Sequence, residues 1–181
     1  MMKYIALLRG INISGKNKIS MNELRSELQK YKYQNISTYL NSGNVIFESE
    51  IDHKESIMQD IYKIIKDKFH LEIPVFIMTA SELKDIFVNA PDWWGTDNRE
   101  IYDNLIFIIP PVTYDDVYSV LGNPNEYEKI QEYKNHIFWS YRLKDYRKTN
   151  WWSRTASTDI RYSITIRTAT TTRKILEICN R

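Results

Sequence analysis

The segment KYIALLRGINISGKNKISMNELR, residues 3–25, admits two incompatible readings. Lys3 to Leu8 is a short, mostly apolar run of the kind that forms a buried strand. From Gly10 onward, seven of the eight positions of G-x-x-x-x-G-K-[ST] are filled, and Asn17 stands where the last hydroxyl belongs. A phosphate-binding loop here would open a parallel, nucleotide-hydrolysing fold. Three features speak against it. Asn17 offers no hydroxyl to hold Mg²⁺, and Ile11 and Ile13 place branched apolar side chains where backbone N–H groups would have to wrap phosphate. The helix starts at Ser20 rather than at the lysine, because Ser20-Met21-Asn22-Glu23 is a capping box. Met21, Leu24, Leu28 and Tyr31 then recur at helical spacing and predict a helix over about 20–32.

Outward from that segment the pattern is regular. Residues 36–40 and 44–47 read as strands joined by Asn41-Ser42-Gly43-Asn44, whose Gly and Asn tolerate the positive φ of a tight turn. Ile57, Ile61, Ile64, Ile65 and Phe69 mark a second amphipathic helix, and 73–78 a further strand. The order is β-α-β-β-α-β, the split or ferredoxin-like unit, whose sheet is largely antiparallel. A P-loop fold needs a parallel sheet and an acidic residue ending a later strand; the run 105–109 ends in Pro110-Pro111 instead. The hydrolase reading is set aside.

The pattern then repeats. Thr79-Ala80-Ser81-Glu82 is a second capping box, opening a linking helix to about Asn89. Residues 105–109 form a strand, and Val117, Val120 and Leu121 a short helix. Runs 126–131 and 136–141 pair across Glu132-Tyr133-Lys134-Asn135, and a polar aromatic segment, 147–157, fills the next helix slot. A strand over 162–167 and a helix over 170–180 complete the copy. The expected fold is therefore α+β, two similar ferredoxin-like subdomains in tandem plus a C-terminal helix. Their expected bounds are 1–78 and 101–181, joined by 79–100, where Pro91-Asp92-Trp93-Trp94-Gly95 breaks the periodicity.

Composition narrows the function classes. No stretch approaches the roughly 18 apolar residues of a membrane span, and the N-terminal apolar run of five residues is shorter than a signal peptide's core. A lone cysteine, Cys179, excludes an internal disulfide framework and suits a reducing compartment, so a cytoplasmic protein is expected. Residues 1–138 carry 15 Lys and Arg against 20 Asp and Glu, whereas residues 139–181 carry 10 against 3. A basic end on an acidic body suits a phosphate-bearing or nucleic-acid partner, and equally a solvated surface.

Two sets of residues stand out as candidate sites. Arg9, Gly10, Asn12, Gly15 and Lys16 lie on the first loop, while Asn41, Ser42 and Asn44 form the turn before the third strand. In a βαββαβ unit the third strand runs antiparallel to the first, which brings 9–17 and 41–44 to one end of the sheet. There they could line a polar, cationic depression for an anion, or serve only as backbone turns. Farther on, Arg142, Lys144, Arg147 and Lys148 interleave with aromatics including Trp151, and Arg167 follows, which is how single-stranded nucleic acid is held. Alternation along a strand accounts for part of that pattern equally well. The histidines, His53, His70 and His136, are far apart and have no metal-ligand spacing, so neither a metal nor a cofactor is expected.

YIALLRGINISGKNKISMNELR and ISTYLNSGNVIFES together closely resemble the family known as domain of unknown function 1697. Its members tend to read RGIN-hydrophobic-GGK-N-x-hydrophobic-P-M-x-x-L and then T-Y-hydrophobic-Q-S-G-N-V-hydrophobic-F. The likeness is specific over roughly the first 50 residues. Later, Arg147-Lys148-Thr149-Asn150 and 166–175 are similar to two family segments; Arg167, Thr171 and Lys174 fit, while Thr168-Ala169-Thr170 replaces an Asn-Trp-Asn core. The resemblance implies two similar α+β subdomains and no established activity. Three functions remain in view: a binding protein for a nucleotide or nucleic acid, an enzyme acting on a small anionic metabolite at the 9–17/41–44 loops, and a partner-binding subunit using Trp93-Trp94 and Trp151-Trp152.

Overall fold

A computed structural model describes residues 1–181. The first half runs β1 (Met2–Leu8), α1 (Met21–Leu28), β2 (Gln34–Tyr39), β3 (Asn44–Ser49), α2 (Lys54–Phe69) and β4 (Val75–Thr79). Its sheet has the order β2-β3-β1-β4 with every pairing antiparallel. After α3 (Ala80–Val88) come β5 (Ile101–Ile108), α4 (Tyr114–Leu121), β6 (Glu128–Tyr133), β7 (His136–Arg142), α5 (Asn150–Ser157), β8 (Ile164–Thr168) and α6 (Ala169–Cys179). The second sheet repeats the order as β6-β7-β5-β8. These are tandem ferredoxin-like subdomains followed by a C-terminal helix. The chain forms two compact units, Met1–Lys84 with Ile175–Arg181, and Asp85–Lys174.

In the first unit, alternate residues of β1, β3 and β4 (Tyr4, Ala6, Leu8, Val45, Phe47, Val75, Ile77) bury one sheet face against Leu24 and Leu28 of α1 and the isoleucines of α2. The other face, with Ile5, Leu7, Ile46 and Met78, is buried too, which is why these strands read as continuous apolar runs. In the second unit Ile106, Ile108, Ile137, Trp139 and Ile164 pack on Val117 and Leu121 of α4 and Trp151 of α5.

Departures from the sequence reading have local causes. β5 starts at Ile101 because Asp103 and Asn104 are strand residues whose polar side chains are buried, Asp103 accepting from the Ser140 hydroxyl and from Gly95 N–H. The aromatic segment is not one helix. Residues 143–148 form a 3-10 turn, and extended Thr149 (φ −70°, ψ 144°) restarts the chain by capping α5 through Trp152 N–H. The β6–β7 connection is a two-residue turn in which Lys134 and Asn135 both have positive φ (47° and 63°). No helix is long and apolar enough to cross a membrane.

Candidate functional site

The pairing of Leu7 with Asn44, continued by the Leu8 N–H to Gly43 carbonyl bond of 2.8 Å, places loops 9–17 and 41–44 at one end of the first sheet. Only glycine fits at 43: φ is +82°, and a Cβ would lie 2.6 Å from the Leu8 Cβ. Loop 9–17 is a miniature hairpin. Lys16 N–H donates to Ile13 at 2.9 Å, Asn12 N–H donates to Asn17 at 3.1 Å, and Ser14 (φ 49°) and Gly15 (φ 76°) supply the left-handed corner. Two N–H groups of the loop, those of Asn12 and Lys16, are spent on the hairpin, and Ile13 projects at its tip, 58 % exposed.

The asparagines build these loops. The Asn12 amide donates to the carbonyls of Ile19 (3.0 Å) and Asn41 (2.8 Å), and its Oδ1 accepts from Ile19 N–H (2.9 Å). Asn17 donates to Gly10 at 3.0 Å, and fully buried Asn44 donates to the Tyr39 carbonyl and the Ser42 hydroxyl. The second unit repeats the tie in mirror fashion. There Asn135 of the strand turn donates to Val112 and accepts from Tyr114 N–H at the head of α4. A depression of about 800 Å³ does lie beside the first-unit loops, lined by Asn12, Gly15 and Asn41 together with Lys18, Ser20 and Glu23. Arg9, Gly10, Lys16, Ser42 and Asn44 are not on its wall, although Lys16 and Ser42 are exposed nearby and Arg9 is half-buried.

The basic aromatic stretch divides differently. Arg142, Lys144, Arg147 and Lys148 are all exposed. The Arg147 guanidinium lies 5.3 Å from the Tyr146 ring centre, and Lys148 Nζ lies 5.0 Å from that of Tyr127. Tyr146 meets Trp152 edge-on at 4.8 Å, and Trp152 is 41 % exposed. Trp151, expected among the stacking residues, is instead fully buried, its indole N–H donating to Gly122 at 2.9 Å. One residue along a helix is a turn of about 100°, so Trp151 and Thr155 face inward while Trp152 takes the outward position. Arg167 is likewise buried, bonded to Thr165 Oγ1 and the Ile166 carbonyl, and presents no cation to a ligand on this face. The field over the stretch is positive. The Asp145 carboxyl is held below its ordinary range by the hydrogen bond from Lys148 and by the charges of Lys148, Lys144 and Arg142.

Glu128 holds this face in place. Its buried carboxylate accepts from the Trp139 indole N–H (2.9 Å) and from the N–H groups of Asn150 (2.8 Å) and Trp151 (3.3 Å), the first turn of α5. Asn150 donates in turn to the Asn123 carbonyl, so Thr149-Asn150 is the cap that anchors the helix. Glu128 is a functional side chain with little mark in the sequence. Its signal was a carboxylate sharing strand parity with Ile130 in an otherwise polar edge strand. No group of three or more His, Cys, Asp or Glu side chains is placed to hold a metal ion.

The family model described as "Protein of unknown function (DUF1697)" matches residues 1–138, and the chain belongs to that family. Among solved structures, the conserved bacterial protein SP0830 from Streptococcus pneumoniae is similar, with 28 % identity, 98 % of each chain covered and a TM-score of 0.86. No curated protein matches the chain.

Proposed function

We propose that this chain is a cytoplasmic binding protein for a phosphate-bearing ligand, single-stranded nucleic acid in first place, and that residues 142–152 are its contact surface. The observation that carries the reading is the grouping of four exposed cations, Arg142, Lys144, Arg147 and Lys148, in a stretch that also carries the half-buried Tyr146 ring beneath the Arg147 guanidinium and the exposed Trp152 ring. Cations alone suit any solvated surface. Cations interleaved with rigid aromatic rings suit a strand whose phosphates and bases alternate. The first-unit loops support a lesser role, since most of their asparagine donors are engaged within the fold. The test is fluorescence anisotropy of a labelled mixed-sequence DNA strand at ~50 mM salt. Lys144→Glu with Arg147→Glu should abolish binding, and Lys16→Glu with Lys18→Glu should leave most of it. The reverse pattern would move the site to the N-terminal loops, and no binding by the unaltered protein would end the proposal.

A further inference from the structure

A second concavity opens beside the basic face. It holds about 590 Å³, within the roughly 300–1,000 Å³ of small-molecule sites, and its walls include Trp93, Tyr127, Lys129, Arg142, Glu126 and Asp145. Arg142 and Asp145 belong to the cationic stretch as well, so groove and face are continuous. Two of the lining rings carry a lysine: Lys129 Nζ lies 6.0 Å from the centre of the half-buried Trp93 ring and Lys148 Nζ lies 5.0 Å from that of exposed Tyr127. Carboxylates share that lining. Glu126 and Asp145 line the groove, and so does Glu128, whose oxygens are committed to Trp139 and the start of α5.

The lining offers a partner to each part of a nucleotide. Lys129 and Arg142 in the lining attract the phosphate of a nucleotide. A base is uncharged, has a face to stack on Trp93 or Tyr127, and on cytosine has an exocyclic amino group for which a carboxylate such as exposed Glu126 is a suitable acceptor. From this we infer that the groove takes an unstacked base of single-stranded nucleic acid while residues 142–148 hold the adjoining backbone. The inference rests on the nucleic-acid reading above and adds to it a second, base-directed site.

The experiment compares a labelled twelve-residue deoxycytidine strand with a strand of equal length made of abasic residues, at one salt concentration. The cytidine strand should bind about tenfold more tightly, the worth of one aromatic stack. Trp93→Ala, and independently the exposed Tyr127→Ala, should each lower cytidine binding several-fold toward the abasic level and leave abasic binding unchanged. Equal binding of the two strands by the unaltered protein would overturn the groove and the stacking on Tyr146 and Trp152, and leave only the phosphate contacts of residues 142–148 standing. A preference that neither substitution reduces would also overturn the groove. Binding of neither strand would overturn both.

Discussion

Replacing Glu128 by glutamine tests how the aromatic face is built. One carboxylate oxygen accepts the Trp139 indole N–H at 2.9 Å while the other accepts Asn150 N–H at 2.8 Å. Glutamine has one oxygen and one NH₂ in the same space, so a donor must face a donor. One buried N–H is then left without an acceptor, which costs about 1–3 kcal/mol. The negative charge at the N-terminus of α5 is lost as well, worth roughly 0.3–1 kcal/mol and more when buried. Together the change should destabilise the second unit by about 2–4 kcal/mol, or lower its midpoint by roughly 5–15 °C for a protein of this size. All five tryptophans lie between residues 93 and 152, within the second unit, so tryptophan fluorescence follows that unit alone. Urea titration read by fluorescence should show a lower midpoint with an unchanged slope. A loss smaller than about 0.5 kcal/mol, the range of an ordinary surface change, would mean that Glu128 does not tie β6 to α5.

Asn12→Gly keeps the positive φ of residue 12 but removes three side-chain hydrogen bonds, so the first unit should lose about 1.5–4 kcal/mol; far-UV circular dichroism and faster exchange of the Ile19 amide would show it, and an unchanged Ile19 amide would refute the clamp. Gly43→Ala should cost more than Gly15→Ala, because its Cβ would lie 2.6 Å from the Leu8 Cβ whereas Gly15 has open space; equal urea midpoints for the two variants would contradict this. Burial pushes the Cys179 thiol up to about 11, so the native protein should resist iodoacetamide at pH 8 and react once unfolded; rapid native labelling would show the helix end to be open.

Much of the fold was legible because each signal was local. Apolar runs marked the strands, and Thr79 with Glu82 forms the full reciprocal capping box that their spacing announced, Thr79 N–H to Glu82 at 2.8 Å and Glu82 N–H to Thr79 Oγ1 at 3.1 Å. The meeting of loops 9–17 and 41–44 followed from strand direction alone, and the Asn12–Asn41 bond of 2.8 Å realises it. The site was harder to read because side-chain type does not disclose the partner. Asn12, Asn17 and Asn44 look like ligand donors in the sequence, yet their amides are committed to backbone carbonyls that only the folded chain brings near. Trp151 and Trp152 are neighbours, and the weak apolar pattern of α5 left its inward face undetermined until Thr149 set the helix start. Glu128 was hidden by the habit of placing carboxylates on surfaces, a habit that fails where a helix N-terminus and an indole N–H converge.

Salt dependence of single-strand binding tests the central claim most directly. Each phosphate neutralised on a single strand contributes about −0.7 to the slope of log K against log salt. Arg142, Lys144 and Arg147 are exposed, while Lys148 is partly satisfied by Asp145 at 2.9 Å, so about three to four phosphates should be engaged. The expected slope is roughly −2 to −3, and it should become shallower by about 1.4 in the Lys144→Gln, Arg147→Gln double variant. Absence of binding at ~50 mM salt, or a slope that the double variant leaves untouched, would contradict the assignment of residues 142–152 as the nucleic-acid surface.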